Sequence, residues 1–254
     1  MASGSAFWRF KQWVKAGESP VARFVRWAVY FRQRASLPGG RAVGWVMWQL
    51  RAFIRPNWLW FKKFFYAEPM VRYRCTCKGV LIMDGTPPMI NGNGDIILGD
   101  RVALGHRLGF AVGSSTGERA QLVIGDRTRI NFETFISAAR SVTIGNDCVI
   151  SSRVKIMDNT GHPLDPERRH EGIRFEDCRP IVIEDRVSIG ADATVYQGVT
   201  IGYGSFIGIN SVVTRNIPPL SVAVGNPARV VAKIAPDAAQ AEAEAQAEAE
   251  EAKA

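Results

Sequence analysis

Three histidines are the first residues to weigh for chemistry, because an imidazole can move a proton near neutral pH or hold a metal. They are His106, His162 and His170. Only His162 stands in a constrained setting, between Gly161 and Pro163 at the foot of a long charged stretch. Asp158, four residues earlier, is placed either to orient that imidazole or to serve as an ordinary loop carboxylate. A zinc centre would need three His converging on one ion. Against the six-residue repeat described next, His106 follows its anchor by two, His162 falls on the anchor register, and His170 lies inside the loop. Cys75 and Cys77 lack the second pair that a zinc site would require. No metal is expected.

The elements that must position His162 come from a repeat. An aliphatic or aromatic anchor returns every six residues: Leu98, Leu104, Phe110; Ile124, Ile130, Ile136; Ile144, Ile150, Ile156; then Ile183, Ile189, Val195, Ile201, Ile207 and Val213. Gly follows the anchor at 99, 105, 125, 145, 190, 202 and 208. The fourth position after it is small or β-branched, as at Val102, Thr128, Cys148, Val187, Ala193 and Ser211. A period of six fits neither a helix nor simple strand alternation. It fits a chain wound into triangular coils with anchors pointing inward, eighteen residues to the coil, each coil burying its apolar side against the next. Gly beside the anchor is read as backbone freedom for the corner.

The spacing is a strict six within triplets and slips between them, from 110 to 124, 136 to 144 and 156 to 183. Insertions are therefore expected at one corner of the triangle. The longest, residues 157–180, is charged, contains three Pro and follows no hexad. A long loop on a rigid solenoid is a usual seat of function.

Residues 95–234 resemble the hexapeptide-repeat acyltransferases, and in detail their galactoside and maltose O-acetyltransferase branch. The resemblance is carried by 131-NFETFI-136, 141-SVTIGND-147, 160-TGHP-163, 198-GVTIG-202, 216-NIPP-219 and 225-GNPARV-230. It implies a mainly β fold, a left-handed parallel β-helix of about five coils; the residues outside it read as an amphipathic α-helical region before the coil and a short helical Ala/Glu tail after it. It also implies acetyl-CoA as co-substrate, a sugar hydroxyl as acceptor, a homotrimer, and a site between neighbouring subunits. The matched His is His162, as general base. Ala191 matches the backbone N–H donor to the oxyanion, and Asn131 an Asn that holds the acceptor. Ser188, Ala191, Ile209, Thr214, Arg215, Arg229 and Lys233 match positions along the coenzyme A groove. Ser188 stands where relatives carry a Trp near the thioester, so a wider pocket is expected there, open to acetyl or a larger acyl group.

Charge and aromatics are concentrated at the start. Residues 1–66 hold twelve Lys/Arg against one acid and all seven Trp, while the whole chain carries +8. The expected organisation is a basic aromatic helical region (1–66), a connecting segment (67–94), the acyltransferase body (95–234) with its loop at 157–180, and an Ala/Glu-rich tail (235–254). Ser19 and Pro20 form a helix start, Ala42 to Arg55 reads as a second amphipathic helix, and Pro56 is expected to end it. Helices with Trp and Phe beside Lys and Arg suit an anionic membrane interface. Basic residues alternating with large apolar groups argue against nucleic acid. Four Cys and no signal-peptide pattern point to a cytoplasmic setting, peripheral on the inner membrane face. The expected acceptor is thus a polysaccharide or lipid-linked glycan precursor. The rival class is a non-catalytic β-helix scaffold organising a membrane assembly.

Overall fold

The computed structural model describes residues 12–34, 40–83, 85–113 and 119–235. The chain divides into two compact units at Arg55/Pro56. In the first, α1 covers residues 12–16 and α2 spans Pro20–Arg34. Its start is the expected one: the Ala22 N–H donates to Ser19 Oγ at 3.1 Å, and Pro20 occupies the first position. α3 spans Gly40–Lys62 with Pro56 inside it, so the expected stop at Pro56 does not occur. A proline deletes one ladder bond, which a long helix can carry within its run. Among the described residues no helix is long and apolar enough to cross a membrane. The tail from residue 236 onward lies outside the described residues, and with it the expected C-terminal helix.

The second unit is a coil of three parallel sheets. A π-helical turn (Lys63–Ala67) leads into α4 (Glu68–Arg74), and Ala67, Val71 and Cys75, four residues apart, enter the main core. β1 (Thr76–Cys77), β2 (Leu81–Met83) and β3 (Met89–Asn91) then open sheets A, B and C. Each pairs in parallel with the strand three places later, as a wound chain requires. The winding thus begins in the stretch read as a connecting segment. This first rung lacks the regular six-residue spacing, which begins only at Leu98.

Anchors sit on anchors. Leu98, Ile124, Ile144, Ile183 and Ile201 are in register in sheet A. Ile130, Ile150, Ile189 and Ile207 are in register in sheet B, and Phe110, Ile136, Ile156, Val195 and Val213 in sheet C. All are buried, as are the small residues four places on. Two of the latter, Thr128 and Thr134, satisfy their hydroxyls on the Gly145 and Ser151 carbonyls.

The corner glycines have another reason than the one expected. Gly99, Gly105, Gly125, Gly145, Gly190, Gly202 and Gly208 do not take positive φ. At all but Gly208, where the Val224 side chain is the close neighbour, they are needed because the next coil's backbone is too close: a Cβ on Gly125 would lie 2.6 Å from the Gly145 carbonyl carbon, and one on Gly190 would lie 2.6 Å from Ile209 N. The left-handed turn falls instead three residues after the anchor, on Arg101, Arg107, Arg127, Glu133, Asp147, Arg153, Arg186 and Asp192. Between these positions a polar ladder climbs the A–B corner. Asp126, Asn146 and Asp185 each accept the backbone N–H of Asp100, Asp126 and Asn146, respectively, at 2.7–2.8 Å.

All four cysteines are free thiols, and burial pushes Cys75 up to about 12 and Cys148 and Cys178 up to about 11. Thiolate is the reactive species. These three are therefore expected to resist Ellman's reagent at pH 8 until denaturant is added, when all four should titrate. Because the unfolded thiols ionise near 9.0 and the folded ones do not, the stability they favour is present below that pH and is lost as pH climbs toward 11–12.

Candidate active site

All long insertions fall at one edge, the corner between sheet C and sheet A. The largest leaves from β12 (Lys155–Met157) and returns at β13 (Ile181–Ile183). Its first residue after the strand, Asp158, is fully buried. One carboxylate oxygen accepts the Ala139 N–H at 2.7 Å; the other accepts those of Arg140 and Ser141 at 2.7 and 2.8 Å. Three successive backbone N–H groups form an anion-binding nest, which compensates a carboxylate that burial alone would disfavour. Asp158 therefore does not orient His162; its acceptors are committed to the coil below. Asn159 extends the network, donating to Ser137 Oγ at 3.0 Å and accepting the Gly161 N–H at 3.0 Å.

That turn, with Gly161 at φ +77, delivers His162 to an exposed position. Its Nδ1 lies 3.3 Å from the Arg169 carbonyl oxygen. A carbonyl can only accept, so the contact is a hydrogen bond when Nδ1 carries the proton, and Nε2 is then the free basic nitrogen. The group that positions the ring is a backbone carbonyl. Sequence reading missed it because any residue at 169 would supply the same oxygen.

The rest of the loop is packed. Ile173 and Cys178 form a small core with Ala139, and Arg140 lies 5.1 Å over the Phe175 ring. The Arg168 guanidinium, 3.0 Å from Glu171, holds that carboxyl below its usual range. A cavity of about 320 Å³ beneath the loop is lined by Thr160, Pro163, Leu164, Arg168, Arg179 and Gln197, among others, and does not include His162.

The other candidates stand elsewhere. Asn131 follows β8 (Arg129–Ile130), Ala191 follows β14 (Ser188–Ile189), and Ile209 follows β17 (Phe206–Ile207), all at the corner between sheets B and C. Asn131 makes no side-chain hydrogen bond, and the Ala191 N–H donates to no group, among the described residues. Ser188 lies within sheet B, half-buried, its N–H on the Ser205 carbonyl. Thr214 and Arg215 follow β18 (Val212–Val213) at the C–A corner and are exposed. Arg229 and Lys233 bound β20 (Arg229–Lys233), antiparallel to β19 (Ser221–Val224). The Lys233 ammonium is engaged by Ser221 Oγ at 2.9 Å and the Pro219 carbonyl at 3.1 Å. His162 and the Asn131–Ala191 pair thus occupy different edges of the prism, with sheet C between them, and no hydrogen bond joins them. His106, at the B–C corner, stacks on Phe132 at 5.2 Å. Among the described residues no three His, Cys, Asp or Glu are placed to hold a metal.

Residues 180–215 match the family of the hexapeptide repeat of succinyl-transferase. The galactoside O-acetyltransferase of Escherichia coli is 40% identical over 111 residues, 44% of this chain and 53% of that protein. A Schizosaccharomyces pombe protein named among the acetyltransferases is 46% identical over 101 residues, 40% of this chain and 47% of that one. The chain spans about half the length of these curated relatives. The crystal structure of AntD, an N-acyltransferase from Bacillus cereus, superimposes with a TM-score of 0.57 at 17% identity, covering 71% of this chain and 96% of that one, a likeness of fold. The three parallel sheets, the hexapeptide-repeat match at residues 180–215 and the acetyltransferase relatives that align over about two fifths of the chain thus describe the same coil, and it is to hexapeptide-repeat acetyltransferases that this coil is similar.

Proposed function

We propose that the protein is an acetyl-CoA-dependent O-acetyltransferase acting on a sugar hydroxyl, with His162 as general base. The observation that carries this reading is the exposed His162 ring at the foot of the long loop, its Nδ1 3.3 Å from the Arg169 carbonyl oxygen, so that a proton on Nδ1 leaves Nε2 as the base. In this reaction Nε2 takes the acceptor hydroxyl proton as the oxygen attacks the thioester carbonyl. The tetrahedral oxyanion is held by the Ala191 N–H, a preorganised donor of the kind that contributes several kcal/mol in such sites, about 3. The intermediate collapses with cleavage of the C–S bond, and the proton passes from His162 to the departing coenzyme A sulfur. Asn131, with its amide uncommitted, holds the acceptor.

The separation of His162 from Ala191 and Asn131 supports a homotrimer of left-handed coils. A second copy that sets its C–A edge against this chain's B–C edge completes the set. Thr214, Arg215, Arg229 and Ile209 then line the coenzyme A groove, Arg229 on phosphate. Ser188 leaves room for an acyl group of acetyl size or larger. The acceptor follows from the name of the galactoside-acetylating relative and from the basic aromatic head. It is a precursor of a cell-surface polysaccharide or a lipid-linked glycan, met by a peripheral protein on the cytoplasmic membrane face.

Isothermal titration with acetyl-CoA tests the class. Binding at one site per subunit, with product coenzyme A competing, is expected. Absence of any heat would make the coil a scaffold and overturn the enzyme reading.

A further inference from the structure

Resting on the membrane reading above, we infer that the lipid-facing element is an aromatic collar at residues 58–66, which holds the coil's first rung toward the bilayer. Trp58, Trp60, Phe61, Phe64, Phe65 and Tyr66 are all exposed, although each is a type that usually finds cover. Five of them form a continuous surface: Trp58 on Phe61 at 5.9 Å, Phe61 on Phe65 at 4.7 Å, Phe65 against Phe64 at 4.9 Å, and Phe64 on Trp60 at 5.5 Å. Lys62 adds a cation 5.4 Å over the Trp58 ring.

The collar is built into the second unit, not tethered to it. One and five residues past Tyr66, Ala67 and Val71 are buried in the main core. Below it Gly85, at φ +86, comes so near the helix that a Cβ there would lie 2.8 Å from the Leu59 carbonyl oxygen. Rigid aromatic groups lose little conformational freedom on insertion, and Trp and Tyr prefer the headgroup boundary. Charge selects the occupant. A region of residues 1–66 with eleven net positive charges repels a second copy of itself and complements an anionic lipid surface.

The orientation has a consequence for the acceptor. The His162 loop leaves sheet C three strands after β3, about 14 Å down the coil at ordinary strand spacing. A hydroxyl reaching His162 therefore stands clear of the headgroups, as on a saccharide carried by a lipid, rather than lying among them.

Vesicle sedimentation separates the possibilities. The full chain should bind phosphatidylglycerol–phosphatidylcholine vesicles. A variant carrying Trp58→Ser, Phe61→Ser and Phe65→Ser should bind them about tenfold less or weaker still, with circular dichroism and acetyl-CoA binding unchanged. Changing Arg23, Arg26, Arg32 and Arg34 to Glu should abolish the preference for anionic lipid at low salt. Trp58→Phe with Trp60→Phe keeps the rings but should remove most of the fluorescence quenched by brominated acyl chains. Parent-like binding and quenching in the collar variants would overturn the collar while leaving the membrane reading intact. A parent that ignores anionic vesicles at low salt would end both. A collar variant that dissociates from an oligomer which the parent forms without lipid would assign the rings to a contact between copies.

Discussion

Replacing His162 with Ala is expected to lower kcat for acetyl transfer by about a thousandfold, the range typical of a lost general base. The change should be confined to chemistry. His162 is exposed, and its contacts within the chain are the Arg169 carbonyl at 3.3 Å and the Thr160 hydroxyl on its own carbonyl. The melting temperature and the acetyl-CoA affinity should therefore match the parent. Loss of kcat without loss of donor binding is the signature of a group that acts only on the proton in flight. Steady-state kinetics with a sugar acceptor, beside titration with acetyl-CoA, reads both quantities. Near-normal turnover in this variant would remove His162 from the mechanism. Arg169 offers no equivalent side-chain test, since its backbone oxygen survives every substitution.

Asp158→Ala should produce the largest loss of stability at the site, about 4 kcal/mol, from three backbone donors left without their acceptor. Asp158→Asn should do no better. An amide keeps one accepting oxygen and turns an NH2 group toward donors, whether against Ala139 or against Arg140 and Ser141. Urea unfolding gives the free-energy difference. Catalysis distinguishes this role from the orientation of His162 that spacing alone suggested. A carboxylate acting through the imidazole would, when removed, lower kcat at unchanged stability. A carboxylate pinning the loop should lower stability first, with turnover falling because the foot of the loop loosens. Unchanged stability in both variants would sink the nest as a structural staple.

Asp158 shows where sequence reading succeeds and where it stops. A carboxylate four residues before a histidine was a reasonable partner for it on spacing. What claimed it was a run of main-chain N–H groups at 139–141, nineteen to seventeen residues earlier, and main-chain groups have no letter in a sequence. The Arg169 carbonyl is the same case. The corner glycines are a subtler one. Their positions were plain in the hexads, but their reason is a close approach from the neighbouring coil, visible only when two rungs are stacked.

The sequence by itself determined the coil from Leu98 onward, because one local rule is repeated fifteen times and each anchor needs only its register to find the next. It also determined that the insertions share an edge and that His162 opens the longest of them. Tertiary structure decided the rest. It wound an irregular first rung from residues 76–91, carried a helix through Pro56, and put His162 on one edge while Asn131 and Ala191 stand on another. The physical reason is range. A periodic apolar pattern is a short-range code that repetition makes legible. A nest, a backbone acceptor or a pair of edges exists only once distant segments have come together.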